Sequence, residues 1–268
     1  MPRGLIRYTS ILSFIPILNI RVAFKEAPLK RKHRSRVAQE NIVNFNDFVA
    51  KRRTVELIPK SINQEEYIAL LMNNKKPIVY SAGPAGTGKT MLAVLAGLKY
   101  LREGRVDRIV LTRPAVGVED EKHGFLPGDL TRKMEPWTKP LFDVIMEYYS
   151  PKEVARMLDE QIFEISPLAF MRGRTFKNAW IIADEMQNAT PNQIKMLLTR
   201  LGDGSKIVLT GDLNQTDRKK ADNGLLEFLS LLSNYGHTNY ISGVNFDSRD
   251  IQRHPAVKEI LSIFREED

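Results

Sequence analysis

The 268-residue chain contains no cysteine and only four histidines. The lack of cysteine excludes a disulfide framework, a thiolate metal site and a cysteine nucleophile, and it suits a reducing cytoplasm. The histidines are scattered, without the spacing of a metal site or a catalytic triad. The chemistry of this chain is therefore expected to rest on carboxylates, amines, hydroxyls and main-chain groups, in a cytoplasmic protein.

A long uninterrupted apolar run is also missing. The most apolar stretch, residues 5–24, contains Arg7, Pro16, Asn19 and Arg21 among other polar residues. A membrane-spanning helix needs about 20 consecutive apolar residues. No small-x-small cleavage site of an export signal follows. We expect a packed or poorly ordered arm here and no stable association with a membrane.

Acidic residues are scarce at the start of the chain. Residues 1–60 hold 13 of the 40 Lys and Arg but four of the 32 Asp and Glu, so the remainder holds 27 against 28. The formal charge of +8 therefore belongs to a basic arm, residues 1–60, and not to the core domain expected at residues 61–268. Such an arm either contacts nucleic acid or is a solvated linker, and both interpretations stay open.

Residues 83–90 read Gly-Pro-Ala-Gly-Thr-Gly-Lys-Thr and fit the phosphate-loop pattern G-x-x-x-x-G-K-S/T. In this pattern, main-chain N–H groups cradle the α- and β-phosphates, the lysine charge lies on the β- and γ-phosphates, and the final hydroxyl binds Mg²⁺. A strand-like apolar run precedes the loop and a helical pattern follows it, as phosphate binding requires. The predicted nucleotide-binding residues are Gly83, Pro84, Ala85, Gly86, Thr87, Gly88, Lys89, Thr90 and Met91.

The pair Asp184-Glu185 ends the apolar run 179–183. The carboxyl end of such a strand lies at the ligand-binding edge of a parallel sheet. Asp184, with Thr90, is expected to hold Mg²⁺, and Glu185 is expected to polarise the attacking water. Kinases of small molecules and GTPases usually lack the second carboxylate, and no Asn-Lys-x-Asp guanine motif is present. Both facts favour ATP hydrolysis, with a small-molecule kinase as the weakest alternative.

Thr210-Gly211-Asp212, followed by Gln215, ends a further apolar run. A polar group at this position can hydrogen-bond the γ-phosphate or the attacking water. Asp212 is equally an ordinary residue for capping a helix. Both interpretations stay open.

Apolar periodicity along the core alternates between strand and helix. We predict an α/β fold, a three-layer P-loop NTPase with a mainly parallel sheet covered by helices on both faces. Strands are expected at residues 77–82, 108–112, 162–166, 179–183, 206–210 and 238–241. Helices are expected after Ser61, after the phosphate loop as far as Gly104, and at residues 130–149, 151–158, 191–201, 225–232 and 249–264.

Six motifs in this order resemble the PhoH-like family, whose members resemble the RecA-like ATPase core of superfamily 1 helicases. They are residues 83–90, Leu-Thr-Arg-Pro-Ala-Val at 111–116, Gly-Phe-Leu-Pro-Gly-Asp-Leu at 124–130, Asp-Glu-x-Gln-Asn at 184–188, Thr-Gly-Asp-Leu-x-Gln-x-Asp at 210–217 and Asp-Ile-x-Arg-His-Pro at 250–255. Departures are small: Met186 stands where the family usually has Ala, and His123 replaces a common Leu. The resemblance covers residues 61 to 264.

The resemblance implies further roles. Gln64 would read adenine, Asp212 and Gln215 would sense the γ-phosphate, and Arg113 would face nucleic acid. Arg253 would stabilise charge on the transferred phosphate, either across a subunit boundary or within its own chain. The implied protein is a Mg²⁺-dependent ATPase acting on single-stranded RNA or DNA as a homo-oligomer, with a hexameric ring suspected. The predicted catalytic residues are Lys89, Asp184, Glu185, Gln215 and Arg253. The alternative is an ATP-regulated scaffold with little turnover.

Overall fold

The computed structural model describes residues 54–114, 130–216 and 223–263. All of them belong to a compact unit, Val49–Asp268, and the other unit, Met1–Phe48, lies outside the described residues. Nearly all of the basic arm, residues 124–129 of the family resemblance, and Asp217 also lie outside them. Val55 precedes the core start expected at Ser61, yet its side chain is buried in the core.

A single sheet of six parallel strands organises the described residues. Its spatial order is β3-β2-β4-β5-β1-β6, so β5 lies between the strand before the phosphate loop and the strand before Asp184. The strands are β1 (Ile78–Ala82), β2 (Arg108–Thr112), β3 (Phe163–Ile165), β4 (Ala179–Ala183), β5 (Lys206–Gly211) and β6 (Ile241–Asn245).

Helices cover both faces of the sheet and give the predicted three layers. The helices are α1 (Ile62–Met72), α2 (Lys89–Arg102), α3 (Leu130–Met146), α4 (Pro151–Asp159), α5 (Pro191–Leu198), α6 (Gly224–Tyr235) and α7 (Pro255–Ile263). The first four pack on one face, where Trp180 and Ile182 of β4 join their core. On the other face, Ile181 and Ala183 of β4 meet residues of α5 and α6. Successive side chains of β4 point to opposite faces of the sheet, and helices cover both faces. Every residue of β4 is therefore buried, which is why the strand is apolar throughout.

Local signals fix where the helices begin. Ser150 and Thr190 each form a capping box at the start of α4 and α5, and a proline follows each cap. Such caps satisfy main-chain N–H groups that have no partner inside the helix. Among the described helices, none is long and apolar enough to cross a membrane.

Trp180 locks helix α2 onto the sheet. Its indole Nε1 donates a hydrogen bond to the Ala93 carbonyl oxygen at 3.1 Å. Gly97 passes so close to the ring that a Cβ atom there would lie 2.7 Å from Trp180 Cδ1. The helix that starts at the phosphate loop is thereby fixed against β4, the strand that ends in front of Asp184.

The expected strand at residues 238–241 was misplaced, because the strand is Ile241–Asn245. Ser242-Gly243 looks like a break in the sequence, since glycine weakens a strand. In the structure a Cβ atom on Gly243 would lie 2.4 Å from the Tyr80 ring and from the Tyr80 carbonyl oxygen. Glycine is therefore what allows β6 to approach β1.

The expected helix at residues 249–264 was too long at its start. A short 3₁₀ helix covers Ser248–Asp250, and α7 begins only at Pro255. Proline disfavours a helical conformation in the residue before it and fits the first turn of a helix. The main chain between these two helices is tied to the phosphate loop, since Gln252 N donates to Gly86 O at 2.9 Å.

Candidate nucleotide-binding site

The carboxyl ends of β1, β5 and β4 converge on a cavity of about 290 Å³. This volume lies near the lower end of small-molecule sites, about 300–1,000 Å³. Its lining comprises Ala85, Gly86, Gly88, Lys89, Thr90, Met91, Asp184, Glu185, Gly211, Asp212 and Gln215. A larger and mostly apolar groove of about 830 Å³ lies between α6 and β6 and includes none of the predicted site residues.

The phosphate loop leads directly into helix α2. Gly88 is the residue before the helix, with a φ of 81° that suits glycine, and no side chain caps the first turn among the described residues. Uncapped N–H groups and the helix dipole favour an anion at this end. The loop therefore presents its donors to the cavity.

Lys89 is buried at the centre of the loop. Its Nζ atom donates to the carbonyl oxygens of Gly83 at 2.7 Å and Pro84 at 2.6 Å. Burial lowers the Lys89 pKa, and nearby Asp212, Asp184 and Glu185 act in the opposite direction. The Lys89 ammonium group lies inside the loop, where it can donate to a phosphate that the loop surrounds.

Thr90 and Asp184 meet across the cavity, with Thr90 Oγ1 donating to Asp184 Oδ1 at 2.8 Å. Thr210 Oγ1 donates to the same carboxylate oxygen. Hydroxyl and carboxylate oxygens are the hard ligands that Mg²⁺ prefers. The residues present at this point therefore fit a magnesium ion.

Glu185 adopts an unusual main-chain conformation directly after β4. Its φ is +55°, in the left-handed region that residues other than glycine seldom occupy. Its carboxylate faces Arg113, whose Nη2 lies 4.0 Å from Glu185 Oε1, and it accepts a hydrogen bond from Gln187 Nε2. Arg113, expected at a nucleic-acid surface, therefore lies beside the predicted catalytic carboxylate.

Two residues whose roles the family resemblance implies, Gln64 and Arg253, lie against the phosphate loop. Gln64 is buried, with Nε2 donating to Thr87 O at 3.0 Å and Oε1 accepting from Lys60 N at 2.8 Å. Arg253 packs on Gly86 of its own chain, where a Cβ atom would lie 2.7 Å from Arg253 Nε. The structure thus brings all the predicted site residues to one edge of the sheet.

Comparison with known proteins identifies the family. The model of the family described as "PhoH-like protein" matches residues 56–265. The chain belongs to the PhoH-like family. A PhoH-like protein of Bacillus subtilis (strain 168) is 42% identical over 80% of this chain and 65% of its own length. Protein PhoH of Escherichia coli (strain K12) is 34% identical over 80% of this chain and 59% of its own.

Further matches to this PhoH-like chain are similar in extent. The PhoH-like protein of Synechocystis sp. (strain ATCC 27184 / PCC 6803 / Kazusa) is 41% identical over 81% of this chain and 65% of its own length. The chain thus spans somewhat less than two thirds of the length of these relatives.

Among solved structures, the Sulfolobus solfataricus SWI2/SNF2 ATPase core in complex with dsDNA matches with a TM-score of 0.40 and 14% identity. The match covers 75% of this chain and 49% of that one.

Sequence reasoning assigned no role to several residues that build the PhoH-like site. Thr210 contacts the Asp184 carboxylate, and Gln187 contacts both Glu185 and the Asp212–Gln215 turn. Asp250 accepts a hydrogen bond from Asn63 Nδ2 at 2.7 Å and joins the start of α1 to the segment before Arg253. Each residue stands in or beside a motif, but each role depends on a contact with a distant part of the chain.

Proposed function

We propose that this protein is a Mg²⁺-dependent ATPase of helicase-like type that works on single-stranded RNA or DNA as a homo-oligomer. One observation carries the proposal: Lys89, Thr90, Asp184 and Glu185 line a single cavity at the start of an uncapped helix. Binding and hydrolysis of a nucleoside triphosphate need this combination of main-chain N–H donors, a lysine cation and two carboxylates.

Each residue has a separate task in this proposal. The loop N–H groups and Lys89 bind and orient the phosphates, and Thr90 with Asp184 would hold Mg²⁺. The ion, when bound, neutralises charge on the β- and γ-phosphates. Glu185 orients a water molecule and takes its proton as the water attacks the γ-phosphorus, while the bond from that phosphorus to the β–γ bridging oxygen breaks and ADP leaves. Asp212 and Gln215, at the end of β5, respond to the presence of the γ-phosphate.

The neighbouring side chains complete the nucleotide site. Arg253 lies on Gly86 and can reach charge that develops on the transferred phosphate. Gln64 already gives both ends of its amide to Thr87 and Lys60. Each end of the amide keeps one further hydrogen-bonding site, the second N–H of Nε2 and the second lone pair of Oε1, and these would read adenine.

A nucleic-acid strand is proposed to cross the β2–β3 half of the same edge. Arg113 directly follows β2 there. The 3₁₀ helix after β3, Leu168–Met171, leaves Phe170 59% exposed, and the next residue, Arg172, is exposed as well. Exposed aromatic rings stack on bases, and arginines pair with the phosphate backbone. A hexameric ring would place several such edges along one strand.

The test is phosphate release from ATP with and without single-stranded RNA or DNA. Wild type is compared with Lys89→Ala and Glu185→Gln. We expect hydrolysis that rises with nucleic acid, loses this stimulation at high salt, and disappears in both variants, while Glu185→Gln still binds ATP. Lys89-dependent binding of ATP without phosphate release would instead indicate the ATP-regulated scaffold. Transfer of phosphate to an acceptor, without free phosphate, would indicate a kinase.

A further inference from the structure

Gln187 is a buried glutamine whose amide is fully used inside the candidate site. Its side chain is 1% exposed and lies in a 3₁₀ helix, Met186–Asn188, directly after Glu185. Nε2 donates to the Glu185 carboxylate and, at 3.1 Å, to the Gln215 carbonyl oxygen. Oε1 accepts from Asp212 N at 3.1 Å. One amide group therefore connects Glu185 with the turn that follows β5.

These contacts join the carboxyl ends of two neighbouring strands of the sheet. Glu185 belongs to the end of β4, whereas Asp212 and Gln215 belong to the end of β5. A displacement of the Asp212–Gln215 turn therefore moves the Gln187 amide, and with it the hydrogen bond that orients the Glu185 carboxylate.

Glu185 needs such an orienting partner. Its left-handed main chain turns the residue out of the alternation of β4, and its carboxylate is only half-buried. Arg113 approaches the other carboxylate oxygen from the nucleic-acid half of the edge. The neutral amide can fix the direction of the carboxylate without adding a positive charge, which would weaken the carboxylate as a base.

We propose that Gln187 is a positioning residue for hydrolysis, holding Glu185 toward the attacking water and linking its orientation to the Asp212–Gln215 turn. This inference rests on the proposed ATPase function. Gln187 itself touches neither the nucleotide nor the water, and it acts through Glu185.

The first test replaces Gln187 by methionine, which has similar length but cannot form the hydrogen bonds. We expect kcat for ATP to fall by about tenfold to 100-fold, part of what a general base contributes. The KM for ATP and the binding of a non-hydrolysable ATP analogue should stay near wild type, because Lys89 and Thr90 are untouched.

The second test uses Gln187→Glu and the pH dependence of kcat. A protonated glutamic acid at position 187 can donate to the Glu185 carboxylate, whereas an ionised one repels it. The activity of Gln187→Glu, relative to wild type, should therefore recover as the pH falls. The relative activity of Gln187→Met should stay flat, and a merely structural role for Gln187 would not produce this difference.

Gln193→Met is the matched control. This substitution also removes a hydrogen bond, the one that Gln193 Oε1 accepts from Thr190 N at 2.9 Å, but that bond belongs only to the cap of α5. It should retain wild-type kcat. Gln187→Met with wild-type kcat would overturn the inference and leave the ATPase intact. The inference would also be overturned if Gln187→Met lost kcat, nucleotide binding and thermal stability together and Gln187→Glu showed no recovery of activity at lower pH. Wild-type protein that binds ATP without hydrolysing it would overturn the proposed function, and the positioning role with it.

Discussion

Lys206 places an ammonium group inside the protein at the start of β5. Its side chain is 3% exposed, and Nζ donates to the carbonyl oxygens of Leu70, Leu71 and Asn73 at the end of α1. A lysine at this end of a helix satisfies carbonyl groups that lack partners within the helix. Burial lowers the Lys206 pKa to about 7, and the nearby Arg105 charge acts in the same direction.

This lysine predicts a dependence of stability on pH. The unfolded chain keeps the ordinary pKa of 10.5, so between about pH 7 and pH 10 it binds more protons than the folded chain. The free energy of unfolding should therefore rise with pH in this window, by at most about 1.4 kcal/mol per unit. Urea unfolding of wild type and Lys206→Met at pH 7, 8 and 9 measures it.

Lys206→Met should lose this contribution to the slope. Each of its three carbonyl partners has a second donor: Leu70 O also accepts from Asn73 N, Leu71 O from Tyr100 OH, and Asn73 O from Lys76 N. The substitution therefore leaves none of these carbonyl groups unpaired. Identical slopes in the two proteins would contradict the prediction.

Gly243 predicts a packing effect at a single residue. In Gly243→Ala the new methyl group would meet the Tyr80 ring and main chain at 2.4 Å and push β6 away from β1. We expect a loss of about 1–3 kcal/mol in the free energy of unfolding, as for other overpacked sites. Gly104→Ala is the control, because nothing lies within 4 Å of its Cβ position and only the cost of its positive φ remains. A smaller loss for Gly243→Ala than for Gly104→Ala would be inconsistent with this explanation.

At the scale of elements, one carboxylate ties the segment between β6 and α7 to the start of α1. Asp250 Oδ2 accepts from Asn63 Nδ2 at 2.7 Å and from Asp247 N at 2.9 Å. Burial alone would raise the Asp250 pKa, but hydrogen bonds from Asn63, Ser61 and Asp247 outweigh it, so the pKa lies below its usual value. The carboxylate thus stays charged and fixes the route of the chain toward Arg253.

This arrangement predicts coupled effects of Asp250 and Asn63 on turnover. Asp250→Ala should lower kcat for ATP by about tenfold, because Arg253 loses its position over Gly86 and with it part of its action on the phosphate. Asn63→Ala should act in the same direction. The double variant should be no worse than Asp250→Ala, since both remove one shared contact. Steady-state kinetics of the three variants measures this, and strictly additive losses would show that the two residues act separately.

The elements best predicted from sequence are those whose signals are local. Strand β4 is an uninterrupted apolar run and β2 has three central apolar residues, and the structure gives both strands with their expected limits. The limits of β6 could not be obtained this way, because Gly243 breaks the apolar pattern for the sake of a contact with Tyr80. Pro255 marks the true start of α7, because proline fits the first turn of a helix. The helix predicted from residue 249 did not use this signal.

The same distinction applies to the candidate site. The phosphate loop and the Asp184-Glu185 pair are contiguous motifs, so the sequence alone was enough to predict a role for them. The link from Gln187 to Asp212 joins residues far apart in the chain and needs the order of β4 and β5 in the sheet. No periodicity encodes such a contact.

For the whole molecule, the position of Arg253 bears on whether the proposed oligomer would complete each ATP site within one chain or between two. Because Arg253 lies on Gly86 of its own chain, we expect it to act within that chain. Mixing Lys89→Ala with Arg253→Ala protein should then restore no ATPase activity, since each subunit retains its own defect. Phosphate release from mixtures that have been allowed to exchange subunits measures this. Activity above that of either variant alone would show that the arginine acts across a subunit boundary.

The contact between Trp180 and helix α2 makes the protein suitable for optical work. The chain has two tryptophans, so Trp137→Phe would leave Trp180 as the single tryptophan, between the helix that follows the phosphate loop and the strand that precedes Asp184. The natural lack of cysteine also means that one introduced thiol would be the only attachment point for a dye. Energy transfer from Trp180 to a dye placed on the Asp250 segment would then test in solution whether added ATP moves this segment, with the sequence otherwise left as it is.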